Sequence, residues 1–194
     1  MVEKDSAPSR DRILDSAVQL FARYGLERTT LADIARRAHL SKATLYHHFP
    51  DGKASIFHAA IGGLLERMWQ QVLAEIERLE DPKQQLISYV RLRIDVFDKQ
   101  MMVWGLDQAV WEDMKPWVEA VLERYFALER ELLTTLLARG KAAGVVRDCD
   151  ERVGARVTQA LLRGMTFDGP IETTAKDRNR EIDEVITLLR GGLF

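Results

Sequence analysis

Residues 29–49 read Thr29-Thr30-Leu31-Ala32-Asp33-Ile34-Ala35-Arg36-Arg37-Ala38-His39-Leu40-Ser41-Lys42-Ala43-Thr44-Leu45-Tyr46-His47-His48-Phe49. This pattern predicts two short helices joined by a tight turn. Thr30 is placed to cap the first, with Asp33 three residues on to complete a capping box, and Leu31, Ile34, Ala35 and Ala38 fall on one apolar face. Ser41 is placed to cap the second. There Leu45 and Phe49, four apart, point inward and leave Lys42, Thr44, Tyr46 and His47 outside. Such a pair is a helix-turn-helix, whose second helix can enter a DNA major groove.

Working outward, Ile13-Leu14-Asp15-Ser16-Ala17, Leu20-Phe21 and Tyr24-Gly25 precede this stretch in order. Together with Thr29-Thr30, Asp33-Ile34-Ala35 and the run from Ser41 to Phe49, they make the segment from Arg12 to about Ile61 resemble the DNA-binding domain of TetR-family (TetR/AcrR-type) transcriptional regulators. The resemblance covers roughly the first third of the chain. It implies an all-α fold, with an amino-terminal three-helix helix-turn-helix domain at 9–61 and a carboxy-terminal helical ligand-binding and dimerisation domain at 62–194. This sequence departs from the family pattern twice. His39 stands where the family usually has glycine, at a turn that requires positive φ, which histidine tolerates at modest cost. Pro50-Asp51-Gly52-Lys53 is one residue longer than the commonest form, and the family's phosphate contact carries over to Lys53.

The residue types suggest how DNA would be held. Phosphates are bound by cations, hydroxyls and helix amino termini, so Thr30, Ser41, Thr44, Tyr46 and Lys53 are candidates for positioning the backbone. Base edges could be read by Lys42 or Arg37 at guanine, by Thr44 or the Ala43 methyl at thymine, and by His47 at an acceptor.

Charge gives mild support: residues 1–60 carry nine basic and seven acidic side chains, against 19 and 23 in the remainder. All four histidines lie in the first 60 residues. A metal site is not expected, because His47 and His48 are adjacent and point about 100° apart on a helix. No cofactor is implied. The single Cys149 allows no intrachain disulfide. With no signal-peptide pattern and no run of ~20 uncharged apolar residues, a soluble cytoplasmic protein is expected.

Periodicity predicts helices throughout. Residues 1–8 are read as a flexible arm, and helix 1 runs from near Ser9 to Tyr24, ending at Gly25. A long helix starts at Asp51 or Gly52 and continues to about Leu79. Asp81-Pro82 opens the next, from Lys83 to about Asp98. A separate helix is expected over Met102–Glu112, then a long one restarting at Pro116 and ending at Gly140 or Gly144. Two more follow, at about Glu151–Met165 and Asp177–Leu189, with a loop at Asp168-Gly169-Pro170.

All four tryptophans fall within 69–117. Met68, Trp69, Phe97, Met101, Trp104, Trp111, Trp117 and Tyr125 are therefore candidates to line an adaptable apolar pocket between helices. The resemblance implies a homodimer through the last two helices, where Val157, Leu161, Val185, Ile186 and Leu189 supply apolar faces. The resulting reading is a repressor released from a palindromic double-stranded DNA operator by a small apolar or aromatic effector. The alternative is a ligand-independent DNA-binding regulator or activator. An enzyme is not expected, since the sequence offers no nucleophile motif, metal spacing or phosphate loop.

Overall fold

The computed structural model describes the backbone of residues 6–104, 108–167 and 175–193, and the side chains of 9–100, 109–166, 177 and 179–188. Eight helices cover these residues: α1 Ser6–Arg28, α2 Leu31–Arg37, α3 Lys42–His48, α4 Lys53–Glu77, α5 Pro82–Trp104, α6 Gln108–Ala142, α7 Glu151–Phe167 and α8 Ala175–Leu193. The fold is all-α, and no strand occurs among the described residues.

The chain forms two compact units. The first combines Met1–Glu66 with Met102–Leu122, and the second combines Arg67–Met101 with Glu123–Phe194. The first is therefore discontinuous in sequence.

In the first unit, Ile13, Ala17 and Phe21 repeat every four residues on α1 and are fully buried. Phe21 meets Phe57 of α4 edge to face, with ring centroids 5.4 Å apart. Such pairs contribute about 0.5–1.5 kcal/mol beyond their buried area. Trp117 of α6 packs on the same Phe57 at 6.5 Å, and Trp111 and Met114 are buried in this unit. Regular α1 geometry ends at Gly25 (φ 77, ψ 171), the position where the sequence placed its end, and helical conformation resumes for a last short turn to Arg28.

Several boundaries differ from expectation. Ser6, Ala7 and Pro8 belong to α1 rather than to an arm; proline is accepted there because first-turn N–H groups have no intrahelical acceptor. Helix α5 runs on to Trp104, absorbing the start of the expected separate helix. Pro116 lies inside one continuous α6 instead of restarting it. The apolar positions on both sides of Pro116, from Trp111 and Met114 to Val118 and Leu122, stay in helical phase and are all buried. Their packing outweighs the one backbone donor that proline lacks. The expected loop at Asp168-Gly169-Pro170 lies outside the described residues.

The second unit is built on α4's end, α5, α6, α7 and α8, with Tyr89, Ile94, Leu133, Leu137, Leu162 and Ile182 fully buried. Asp81 caps α5, its Oδ1 accepting from the Lys83 N–H at 3.0 Å. Asp150 does the same for α7, accepting from Arg152 and Val153 at 2.9 and 3.0 Å. Within this apolar core lies a polar knot. Glu129, 2% exposed, accepts from the Tyr89 hydroxyl at 2.6 Å, Arg93 Nε at 2.9 Å and Gln159 Nε2 at 2.7 Å. Arg130 in turn donates to Gln159 at 2.9 Å. Every buried side-chain polar atom in the described residues has a partner, so the knot is fully satisfied.

Candidate nucleic-acid interface

Helix α2 starts at a complete capping box. The Thr30 hydroxyl accepts from the Asp33 N–H at 3.2 Å, while the Asp33 carboxylate accepts from the Thr30 N–H at 3.3 Å and from the Thr30 hydroxyl at 2.5 Å. These bonds from Thr30, and then the neighbouring Arg36, hold the Asp33 carboxyl below its usual range. Helix α3 is capped by Ser41, whose Oγ accepts from the Thr44 N–H at 3.0 Å.

Between them the chain makes a Schellman turn. Leu40 N donates to Ala35 O at 2.9 Å and His39 N to Arg36 O at 3.2 Å. That pattern needs a left-handed residue just past the cap, and His39 supplies it with φ 54. The turn is therefore where the sequence placed it. From α1, Arg12 reaches across and donates to Ala38 O and His39 O, each at 3.1 Å, neutralising the carbonyl end of α2.

The consequence is a rigid, outward-facing α3. Leu45 and Phe49 are buried and anchor it, while Ser41, Lys42, Ala43, Tyr46 and His47 are exposed and Thr44 is half-buried. Tyr46 is an apolar ring left half in water, at 50% exposure. Thr30 is exposed at the start of α2. These seven predicted residues lie together on the two helix amino termini and the outer face of α3.

Two predicted contacts are placed elsewhere. Arg37 lies at the end of α2 and donates to Gln19 of α1, beside an open groove of about 870 Å³ between those helices that Arg12, Asp15 and Arg36 also line. Lys53 does not extend outward as an isolated cation: its Nζ donates to Leu26 O at 2.7 Å and Glu27 O at 3.2 Å, at the carboxy terminus of α1. The negative end of a helix attracts a cation as a phosphate does, and this one is within the protein's reach. The roles of Arg12 and Lys53 as helix caps had no local signal, because each acts on backbone 26 or 27 residues away. His47 and His48 stand edge to face, with ring planes 70° apart. Among the described residues no group of three or more His, Cys, Asp or Glu could hold a metal ion.

Residues 13–60 match the family model described as bacterial regulatory proteins, tetR family. The match covers about a quarter of the chain, the part that carries the helix-turn-helix. The helix-turn-helix-type negative transcriptional regulator IcaR of the biofilm operon icaADBC in Staphylococcus aureus (strain Newman) is 44% identical over 52 residues, which are 27% of each protein. The match to that curated relative thus spans about a quarter of its length. An uncharacterized helix-turn-helix-type transcriptional regulator of Mycobacterium tuberculosis is 28% identical over 200 residues, covering 99% of this chain and 98% of that one. The fold is shared with AibR, solved in complex with isovaleryl coenzyme A and operator DNA. AibR superimposes with a TM-score of 0.65 and 18% identity over 93% of this chain and 97% of its own.

The tryptophan-rich candidates are distributed between the two units. Trp111 is core and Trp117 covers Phe57 in the first unit, whereas Met68 and Trp69 pack partly buried against the core of the second. Phe97, 9% exposed, lies under the Arg93 guanidinium at 6.0 Å, and Tyr125 is half-buried. The side chains of Met101 and Trp104 lie outside the described residues, as does that of Leu189.

The dimer candidates divide between core and surface. Val185 and Ile186, 9% and 5% exposed, belong to their own unit's core, and Leu161 packs partly against it. On α8, residues 182, 185 and 186 turn inward together at helical spacing, which leaves Leu188, 66% exposed, on the outer side. On α7 the outward apolar positions are Val153 and Val157, 46% and 59% exposed, four residues apart. No helix among the described residues is long and apolar enough to cross a membrane.

Proposed function

We propose that this chain is a sequence-specific DNA-binding repressor, acting as a homodimer on a palindromic operator and released by a small apolar or aromatic effector. The observation that carries the DNA reading is α3: anchored by Leu45 and Phe49, capped at Ser41, and presenting Lys42, Ala43, Tyr46 and His47 to solvent. Such a helix fits the major groove, with its amino terminus toward the bases. In this reading Thr30, Ser41 and Thr44, at two helix amino termini, meet phosphates, and Lys42 meets guanine.

Val153 and Val157 stand one turn apart and exposed on α7, and Leu188 is exposed on α8; these are the apolar positions that the proposed self-association would cover. Two-fold pairing would set two recognition helices on two half-sites. Repression is supported by the likeness to IcaR, a negative regulator, and the binding of a small molecule beside DNA by the shared fold of AibR, which was solved with isovaleryl coenzyme A and operator DNA.

The test is fluorescence anisotropy of the full chain on a duplex selected from a randomised pool. Binding should weaken steeply with salt, as expected when phosphate contacts release counterions. Tyr46→Ala should lower affinity about tenfold, the worth of roughly one good contact, without unfolding the protein. Unchanged binding by folded Tyr46→Ala would refute the assignment of α3.

A further inference from the structure

We propose that the first turns of α1 grip α3 at both ends, with Arg12 and Arg10 as positioning residues that fix the angle at which the recognition helix meets base edges. The duplex measurements below rest on the DNA-binding reading; the DNA-free one does not.

Helix α3 is seven residues long, and within it only Leu45 is buried. A helix this short, pivoting on one side chain, needs its two ends held. Direct base readout has little tolerance for rocking, because a bidentate contact is set by distance and angle together.

The turn before α3 receives one anchor. Its Schellman bonds use the carbonyls of Ala35 and Arg36 and leave those of Ala38 and His39 for another donor. It also holds an L-residue at φ 54, a conformation that glycine keeps without strain and histidine keeps at a cost. Arg12 Nε donates to Ala38 O at 3.1 Å, and its Nη2 donates to Ala38 O and, at 3.1 Å, to His39 O. Water would satisfy the same carbonyls but would not tie them to α1. The guanidinium does both, since its rigid fork of donors spans two successive carbonyls.

The other end of α3 stops at Phe49, whose N–H donates to Leu45 O at 2.9 Å and whose side chain is buried. The Arg10 guanidinium stands over that ring, 5.4 Å from its centroid, within the range at which a cation is attracted to an aromatic face. Both arginines leave a helix that is itself fixed. Helix α1 begins at Ser6, so residues 10 and 12 are helical, and Ile13, Ala17 and Phe21 bury the same helix in the first unit.

The test is made on the full chain. Arg12→Met keeps the aliphatic stem and removes the guanidinium, and Arg12→Lys keeps a cation able to reach one carbonyl. Arg23→Met is the control, because it removes a guanidinium that stands over Tyr24 of its own helix. Without DNA, amide exchange at Leu40 and Leu45 should speed up about tenfold in Arg12→Met, the effect of one lost charge-assisted hydrogen bond on local opening. The change should be smaller in a His39→Gly background, where the turn keeps its shape unaided. Affinity is then compared, at a temperature where all variants are folded, on the selected duplex and on the same duplex with one base pair changed in each half-site. The ratio of the two affinities should fall about fivefold in Arg12→Met, the lower end of what one mismatched pair costs. It should fall further when Arg10→Met is added, recover in part in Arg12→Lys, and keep its wild-type value in Arg23→Met. A residue that only touched phosphate would weaken both duplexes alike and leave the ratio unchanged. Exchange equal to wild type in Arg12→Met would overturn the grip, as would a wild-type ratio in the folded double variant. If wild type itself selects no duplex, the DNA reading fails, while the exchange measurement still decides the grip.

Discussion

Replacing Gly25 with alanine probes the joint in α1. At φ 77 and ψ 171 the backbone occupies a region that L-residues reach only at about 1–3 kcal/mol. A Cβ there would also lie 2.7 Å from Asp113 Oδ2. These two costs are separable. The carboxylate ends a side chain with two rotatable bonds and can swing aside, whereas φ cannot change without moving Leu26 and Glu27, whose carbonyls hold Lys53. Alanine also restricts the unfolded chain, which returns about 0.4–1 kcal/mol. Gly25→Ala should therefore destabilise the protein by about 1–2 kcal/mol net. Urea unfolding followed by circular dichroism would measure it, with Asp113→Ala as the control. Adding Asp113→Ala to Gly25→Ala should recover less than about 0.5 kcal/mol, the scale of an ordinary surface change. Full recovery would place the cost in space rather than in backbone conformation, and a Gly25→Ala stability equal to wild type would refute the joint altogether.

Other perturbations separate core from surface in the second unit. Val157→Glu should leave the subunit's stability within about 0.5 kcal/mol of wild type and yet shift sedimentation toward monomer, whereas Ile186→Glu, a charge driven into the core, should unfold it. Glu129→Ala should cost about 3–5 kcal/mol in denaturant unfolding, because it leaves Arg93, Tyr89 and Gln159 facing a vacated position. Burial first, and then the Glu129 charge, push the Tyr89 phenol well above its ordinary value of 10.0. Its folded pKa is raised, so the stability it contributes is full below that ordinary value and declines as pH rises above it. Tyr89→Phe should accordingly remove part of the loss of stability seen in alkaline titration.

Much of the first unit was legible because its determinants are local. Capping boxes, a Schellman turn and apolar spacing of three and four residues act within a single turn of helix, so Thr30, Asp33, His39, Ser41, Leu45 and Phe49 could be placed from their neighbours alone. Arg12 and Lys53 could not, since nothing nearby indicates which distant carbonyl a cation will find. The second unit failed at a different level. Apolar positions on α7 and α8 were identifiable as such, but on a helix with apolar residues on more than one side, spacing does not say which side meets the subunit's own core. Only packing revealed that Val185 and Ile186 turn inward while Val157 stays outside. Pro116 misled because a local rule about breaking helices was overridden by burial on both sides of it.

The split composition of the first unit bears on how such proteins can be recombined. The segment recognised by family resemblance, 13–60, is one part of a body whose other part arrives at 102–122. A head transplanted by cutting after Glu66 would leave behind Trp117, which covers Phe57, and Asp113, which sits against Gly25. Chimeras of this chain that exchange only the amino-terminal piece would therefore join α3 and its support to a foreign lid, and working hybrids should be those in which both pieces travel together.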